Sequence, residues 1–146
     1  MSRESRRVAS LLLILLPTVI YGGTAILPML VGDPAYSENH LRQDLWRAGH
    51  AHAGVLLILS LVALHYVDEA ELPQRMRRFV RHSIPASAVL LPAAFFLSVL
   101  SPDATKPNAF IYLAYAGAVS LATGVLTLGI GLVRDPSQSG TVRKEE

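Results

Sequence analysis

Five histidines, at positions 40, 50, 52, 65 and 82, are the side chains of this chain best suited to chemistry, and there is no cysteine. Imidazole, thioether, phenol and carboxylate are therefore the only ligand types, and disulfides and thiol nucleophiles are excluded. The densest group is Arg47-Ala48-Gly49-His50-Ala51-His52-Ala53-Gly54, which carries a cation and two imidazoles into an apolar run from Val55 to Val67. Ionisable groups at the lip of a membrane span are expensive and mark a candidate site. On a regular helix His50 and His52 lie about 200° apart, so they form no simple chelate. His50 and Gly54 share a face at i and i+4, and the glycine leaves room for a flat macrocycle such as haem. His65 is about 60° around and about 22 Å along from His50, so one face of the helix presents an imidazole near each membrane surface. His82 is the expected partner of His65, and His40, Met29 or a histidine of another protomer is the expected partner of His50. Two such levels suit two haems, or one haem and one metal ion. The competing reading makes each histidine an interfacial anchor or a solvated tip, and for His40 and His82 this is the more economical one.

These residues sit in a chain that is 51% hydrophobic and 16% charged, with the charges gathered into clusters. That pattern predicts an all-α, polytopic membrane protein, a single four-helix bundle in one domain of residues 1–146. The expected spans run over about 8–31, 48–67, 83–100 and 109–133. A short interfacial helix capped by Ser37 is expected between the first two, with Leu41 and Leu45 apolar, Arg42, Gln43 and Asp44 polar, and Trp46 at headgroup level. Asp44 and Arg47 are spaced to pair at the lip, with small effect. Span one resembles a secretory signal at first, but its apolar run continues past Pro17 without a small-x-small cleavage site, so it is expected to be retained.

Basic residues fix the expected orientation. Arg3, Arg6 and Arg7, then Arg75, Arg77, Arg78 and Arg81, then Arg134, Arg143 and Lys144 fall on one side of a four-span arrangement, against Arg42, Arg47 and Lys106 on the other. Both termini, tails 1–7 and 134–146, are expected to be cytoplasmic in a multi-pass protein of the cell (inner) membrane. The net charge of +2 gives no support to nucleic-acid binding. Pro17 and Pro92 should kink their helices. Gly117, Gly124 and Gly131 recur at seven-residue spacing, a small-residue stripe that predicts close packing inside the bundle or against another copy.

The segment Arg47 to Gly54 resembles the His-x-His helix starts of small bacterial membrane proteins related to haem-copper oxidase subunit I and to NnrS-like proteins. The resemblance implies a haem ligand at His50 or His52. The chain has four expected spans and lacks the later histidine cluster of a copper site, so oxygen reduction is not implied. The whole chain is also similar to uncharacterised four-helix bacterial membrane proteins, which implies architecture alone. Two functions follow as expectations. One is a haem- or metal-binding membrane protein with an electron-transfer, sensing or assembly role, using His50, His52, Gly54, His65 and His82. The other is a cofactor-free bundle acting as a partner subunit, a homo-oligomer or a small-solute permeation element. No segment groups a nucleophile, a base and an orienting acid, so catalysis of a conventional hydrolytic kind is not expected.

Overall fold

The computed structural model describes residues 1–134; the rest of the carboxyl tail expected to be cytoplasmic, with Arg143 and Lys144, lies outside the described residues. The described residues form helices α1 (Arg3–Gly32), α2 (Pro34–Ser37), α3 (His40–Tyr66), α4 (Gln74–Ser98) and, after a 3-10 turn over Ala109–Tyr112, α5 (Leu113–Val133). Four of these are long and apolar enough to cross a membrane: α1, α3, α4, and α5 together with its 3-10 turn.

Local chemistry explains the helix starts. Ser2 caps α1 through Ser5 N–H, Asp33 caps α2 through Ala35 N–H with Pro34 in its first turn, and Asn39 caps α3 through Arg42 N–H. Each cap satisfies a backbone donor that the helix itself leaves unpaired. Asn108 does the same before the 3-10 turn. Pro17 and Pro28 both lie inside α1, and the helix runs through them.

The segment expected as a separate interfacial helix is organised differently. Ser37 ends the four-residue α2, and Leu41, Leu45 and Trp46 belong to α3, which runs unbroken from His40. Arg42 and Gln43, expected as polar residues of that segment, are buried. The reason is that their side chains close the ends of neighbouring helices, as described below. Helix α4 likewise starts at Gln74, well before the apolar run that begins at Ser83.

Packing follows chain order: α1 lies against α3, α3 against α4, and α4 against α5, so the helices form an open row. One apolar cluster joins Ala9 and Leu12 of α1 to Leu56, Leu57 and Leu64 of α3 and to Ala88 and Leu91 of α4. A second joins Ala63 and Val67 to Val80, Ile84 and Leu128 near the α3–α4 loop. Helix α1 is the least covered, with Ser5, Ala9 and Leu12 its only buried residues. Ile14, Ile20, Tyr21, Leu27 and Val31 are exposed along the rest of it.

The glycine stripe of α5 faces α4 and the α3–α4 loop within the same chain. A Cβ at Gly117 would lie 2.9 Å from Leu91 Cγ, one at Gly124 would strike Ser83 Oγ and lie 2.8 Å from Ile84 Cγ1, and one at Gly131 would lie 2.5 Å from Leu72 Cγ. This close approach lets Ser120 Oγ donate to the Ser83 carbonyl at 2.8 Å, and Glu71 N–H to the Gly131 carbonyl at 2.9 Å. Small residues and interhelical hydrogen bonds are the usual means by which helices associate where water supplies no hydrophobic drive. By contrast, nothing lies within 4 Å of a Cβ placed at Gly129. Gly124→Leu should therefore lower stability by about 1–3 kcal/mol or more through overpacking, whereas Gly129→Leu should be close to neutral. Unfolding of the two variants in detergent micelles checks this, and equal effects would count against the assigned seam.

Candidate functional site

Each end of the helical row is closed by a buried arginine. At the end containing the α1 start, Arg81 of α4 is 3% exposed. Its Nε donates to Ser5 Oγ at 2.9 Å, one terminal nitrogen donates to Glu4 Oε2 at 2.7 Å, and the other donates to Asp68 Oδ1 at 2.6 Å. Ser2 N–H donates to Asp68 Oδ2 at 2.5 Å and Ser5 Oγ to Asp68 Oδ1 at 3.1 Å. Burial acts to raise the Asp68 pKa. The Ser2 N–H, the Arg81 guanidinium and the Ser2 and Ser5 hydroxyls outweigh it and lower the carboxyl from 3.8 to about 2. Arg78 adds a longer, exposed contact to Glu4 at 3.6 Å.

At the opposite end Arg42 uses neutral acceptors. Its guanidinium donates to the carbonyls of Val99, Ala35 and Leu100 at 3.2, 3.3 and 3.5 Å. The guanidinium carbon stands 4.7 Å from the centre of the Trp46 ring, which packs on Tyr36 and Phe96. The last carbonyls of a helix lack donors and carry partial negative charge, so a cation there is stabilised by the α4 terminus. Asn108 completes the closure, its backbone N–H donating to Ser98 O and its side chain to Leu97 O. Gln43 similarly donates to the carbonyls of Tyr36 and Ser37 at the end of α2. Trp46, expected at headgroup level, is thus half-buried in this aromatic and cationic cluster.

Between these ends lie the histidines. His50 faces α1, where a Cβ on Gly23 would lie 2.7 Å from its Nε2; the bare glycine backbone forms the notch that admits the ring. Gly54 faces the same helix, with Val19 Cγ1 3.9 Å from its would-be Cβ. The face read as a cofactor surface is therefore the α1–α3 seam. His52 points to the other side of α3, toward Phe95 of α4, with ring centres 5.1 Å apart. It is exposed, and its Nδ1 stands 2.7 Å from the Ala48 carbonyl oxygen. A carbonyl only accepts, so Nδ1 is the donor and Nε2 of the neutral ring keeps its lone pair.

His65 and His82 are both exposed. His65 Nε2 stands 3.8 Å from Glu69 Oε1, and its ring meets Tyr66; among the described residues no hydrogen bond links it to His82. His40 is exposed at the start of α3 and Met29 is half-buried in α1. Asp44 and Arg47 are exposed and form no ion pair among the described residues. No three His, Asp or Glu side chains come together among the described residues in a way that would hold a metal ion. Compared with known protein families, curated proteins and solved structures, the chain matches none.

The arginine clusters were not among the expected sites, although their register is visible in sequence. Arg81 lies on one stripe of α4 with Ile84, Ala88 and Leu91, all buried, and Arg42 lies on one stripe of α3 with Gly49, Leu56, Ser60 and Ala63. Arg81→Met should cost about 3–5 kcal/mol, because it leaves Asp68 without its cation. Asp68 is held below its ordinary pKa, so its contribution to stability is fully present above about pH 4 and is lost as pH falls through about 2. Unfolding measured across that window should show the acid loss in the wild type and not in Asp68→Asn. An unchanged acid limb in the variant would remove Asp68 from this role.

Proposed function

We propose that the protein is a multi-pass integral membrane protein that offers one side-chain ligand, His52 of α3, to haem iron or a metal ion in an electron-transfer, sensing or assembly role. The observation that carries this reading is the bond from His52 Nδ1–H to the Ala48 carbonyl. Metal-binding histidines usually donate their other ring nitrogen to a carbonyl or carboxylate, which fixes the ring and exposes the remaining lone pair. The second ligand would come from outside the described bundle, in keeping with a homo-oligomer or a partner membrane subunit.

Both termini are proposed to be cytoplasmic in the cell (inner) membrane. In support, the fold gathers the start of α1 and the start of α4, with seven arginines between them, at one end of the row, against Arg42, Arg47 and Lys106 toward the other. An excess of arginine marks the cytoplasmic side.

A second reading, a cofactor-free bundle serving as a partner subunit, is favoured by His50. Its ring fills the Gly23 notch and so has a packing role without any cofactor. One experiment separates the two. The full chain is produced with ample haem, purified in detergent, and examined by absorption spectroscopy in oxidised and reduced states with metal analysis. The first reading expects a Soret band or bound metal that is lost in His52→Ala and retained in His50→Ala. A colourless, metal-free wild type decides for the second.

A further inference from the structure

The seven arginines gathered at one end are not equivalent. Arg81 is spent on Glu4, Asp68 and Ser5, Arg78 contacts Glu4, and Arg77 donates to the Ala70 carbonyl at 3.0 Å. Arg3, Arg6, Arg7 and Arg75 are exposed and enter none of these bonds. Of these, the three on α1, Arg3, Arg6 and Arg7, line a surface groove of about 420 Å³ together with Ser10.

Helical geometry explains why they are left over. At about 100° per residue, Ser5, Ala9 and Leu12 fall on one side of α1, and these are its buried residues. Arg3, Arg6, Arg7 and Ser10 fall on the opposite side. The one acid of this turn, Glu4, reaches instead to the α4 arginines. Immediately deeper, Ile14 continues this outward side and is 71% exposed, with Leu11 and Leu13, exposed to 62 and 55%, on its two flanks. Two turns of one helix therefore change from a triple cation with a hydroxyl to a bare aliphatic surface. That order of chemistry matches one molecule, a phospholipid with a negatively charged headgroup and two acyl chains.

We propose that Arg3, Arg6, Arg7 and Ser10 form a binding site for the headgroup of an anionic phospholipid whose chains lie along Leu11, Leu13 and Ile14. Guanidinium groups pair with phosphate oxygens through paired, charge-assisted hydrogen bonds, which a zwitterionic lipid with its own cation meets less well. A juxtamembrane basic cluster is attracted to the anionic leaflet in the same sense. The lipid would cover the part of α1 that no other helix covers. The inference rests on the reading that α1 spans a bilayer, and it assigns lipid selectivity to α1 and not to the arginines at the start of α4.

The test uses the full chain in detergent and native mass spectrometry, with phosphatidylglycerol and phosphatidylcholine of identical acyl chains as probes. The wild type should retain phosphatidylglycerol about tenfold more readily. The preference should vanish in Arg3→Gln/Arg6→Gln/Arg7→Gln and persist in Arg75→Gln. A triple variant that keeps the wild-type preference overturns the site. A photoreactive residue in place of Ser10, in the otherwise native chain, guards against a misfolded triple variant. It should crosslink to phosphatidylglycerol, whereas one in place of the exposed Val119 of α5 should not, and equal labelling overturns the proposal. Carbonate washing of membranes separates the two levels: release of the wild type defeats the spanning reading and the site with it, while retention with an unselective Arg3–Arg7 face defeats the site alone.

Discussion

A guanidinium withdrawn from water must find anions or dipoles in nearly fixed positions, and in this protein that requirement falls on Arg81. Its desolvation is offset only because two segments deliver acceptors to one point on α4: the first turn of α1 with Glu4 and Ser5, and the turn just after α3 with Asp68. The cost of burying an unpaired charge, several kcal/mol, makes the arrangement close to all-or-none. This matters most for α1. Its fully buried apolar side chains are Ala9 and Leu12, both near the same end; Val8, Leu16 and Val19 are only partly buried against the core, and farther along His50 seats at Gly23. The Arg81 cluster fixes where α1 begins and which side it turns inward, and the exposed apolar remainder follows from that.

Arg42 solves the same problem at the far end by different means. Its partners are carbonyl oxygens and the Trp46 ring, with the negative end of the α4 dipole in place of a carboxylate. One end of the fold is thus neutralised by acids and the other by backbone. Carboxylates can be protonated and carbonyls cannot, so the two closures differ in their response to acid. The Arg81 end alone carries a titrating lock.

Much of the architecture was legible in the sequence because long apolar runs and flanking caps are local signals. The seven-residue spacing of Gly117, Gly124 and Gly131 marks a face of small residues, and in the fold that face lies against α4 and the loop before it. Polarity alone did not place Arg42 and Gln43: both turn inward to reach carbonyls, Arg42 across to Val99 and Gln43 back to the end of α2. The same blindness hid Asp68, which meets Ser2 and Ser5 across more than sixty residues. No local pattern contains such a partner. What sequence does contain is register, and an arginine in step with buried isoleucine and leucine on α4 is the trace these clusters leave.

The histidines show the limit of a motif taken without its neighbours. Regular helix geometry separates His50 from His52, and the row of helices gives each side of α3 a different neighbour, α1 on one and α4 on the other. His50 is seated where α1 has no side chain at Gly23, so that glycine makes room for the imidazole. His52 meets an aromatic ring and its own backbone, with no second imidazole or carboxylate beside it among the described residues. A lone ring of this kind supplies one ligand at most. Any centre built on it must be completed from another chain or from solvent, which moves the question of function from the interior of the fold to its outer surface.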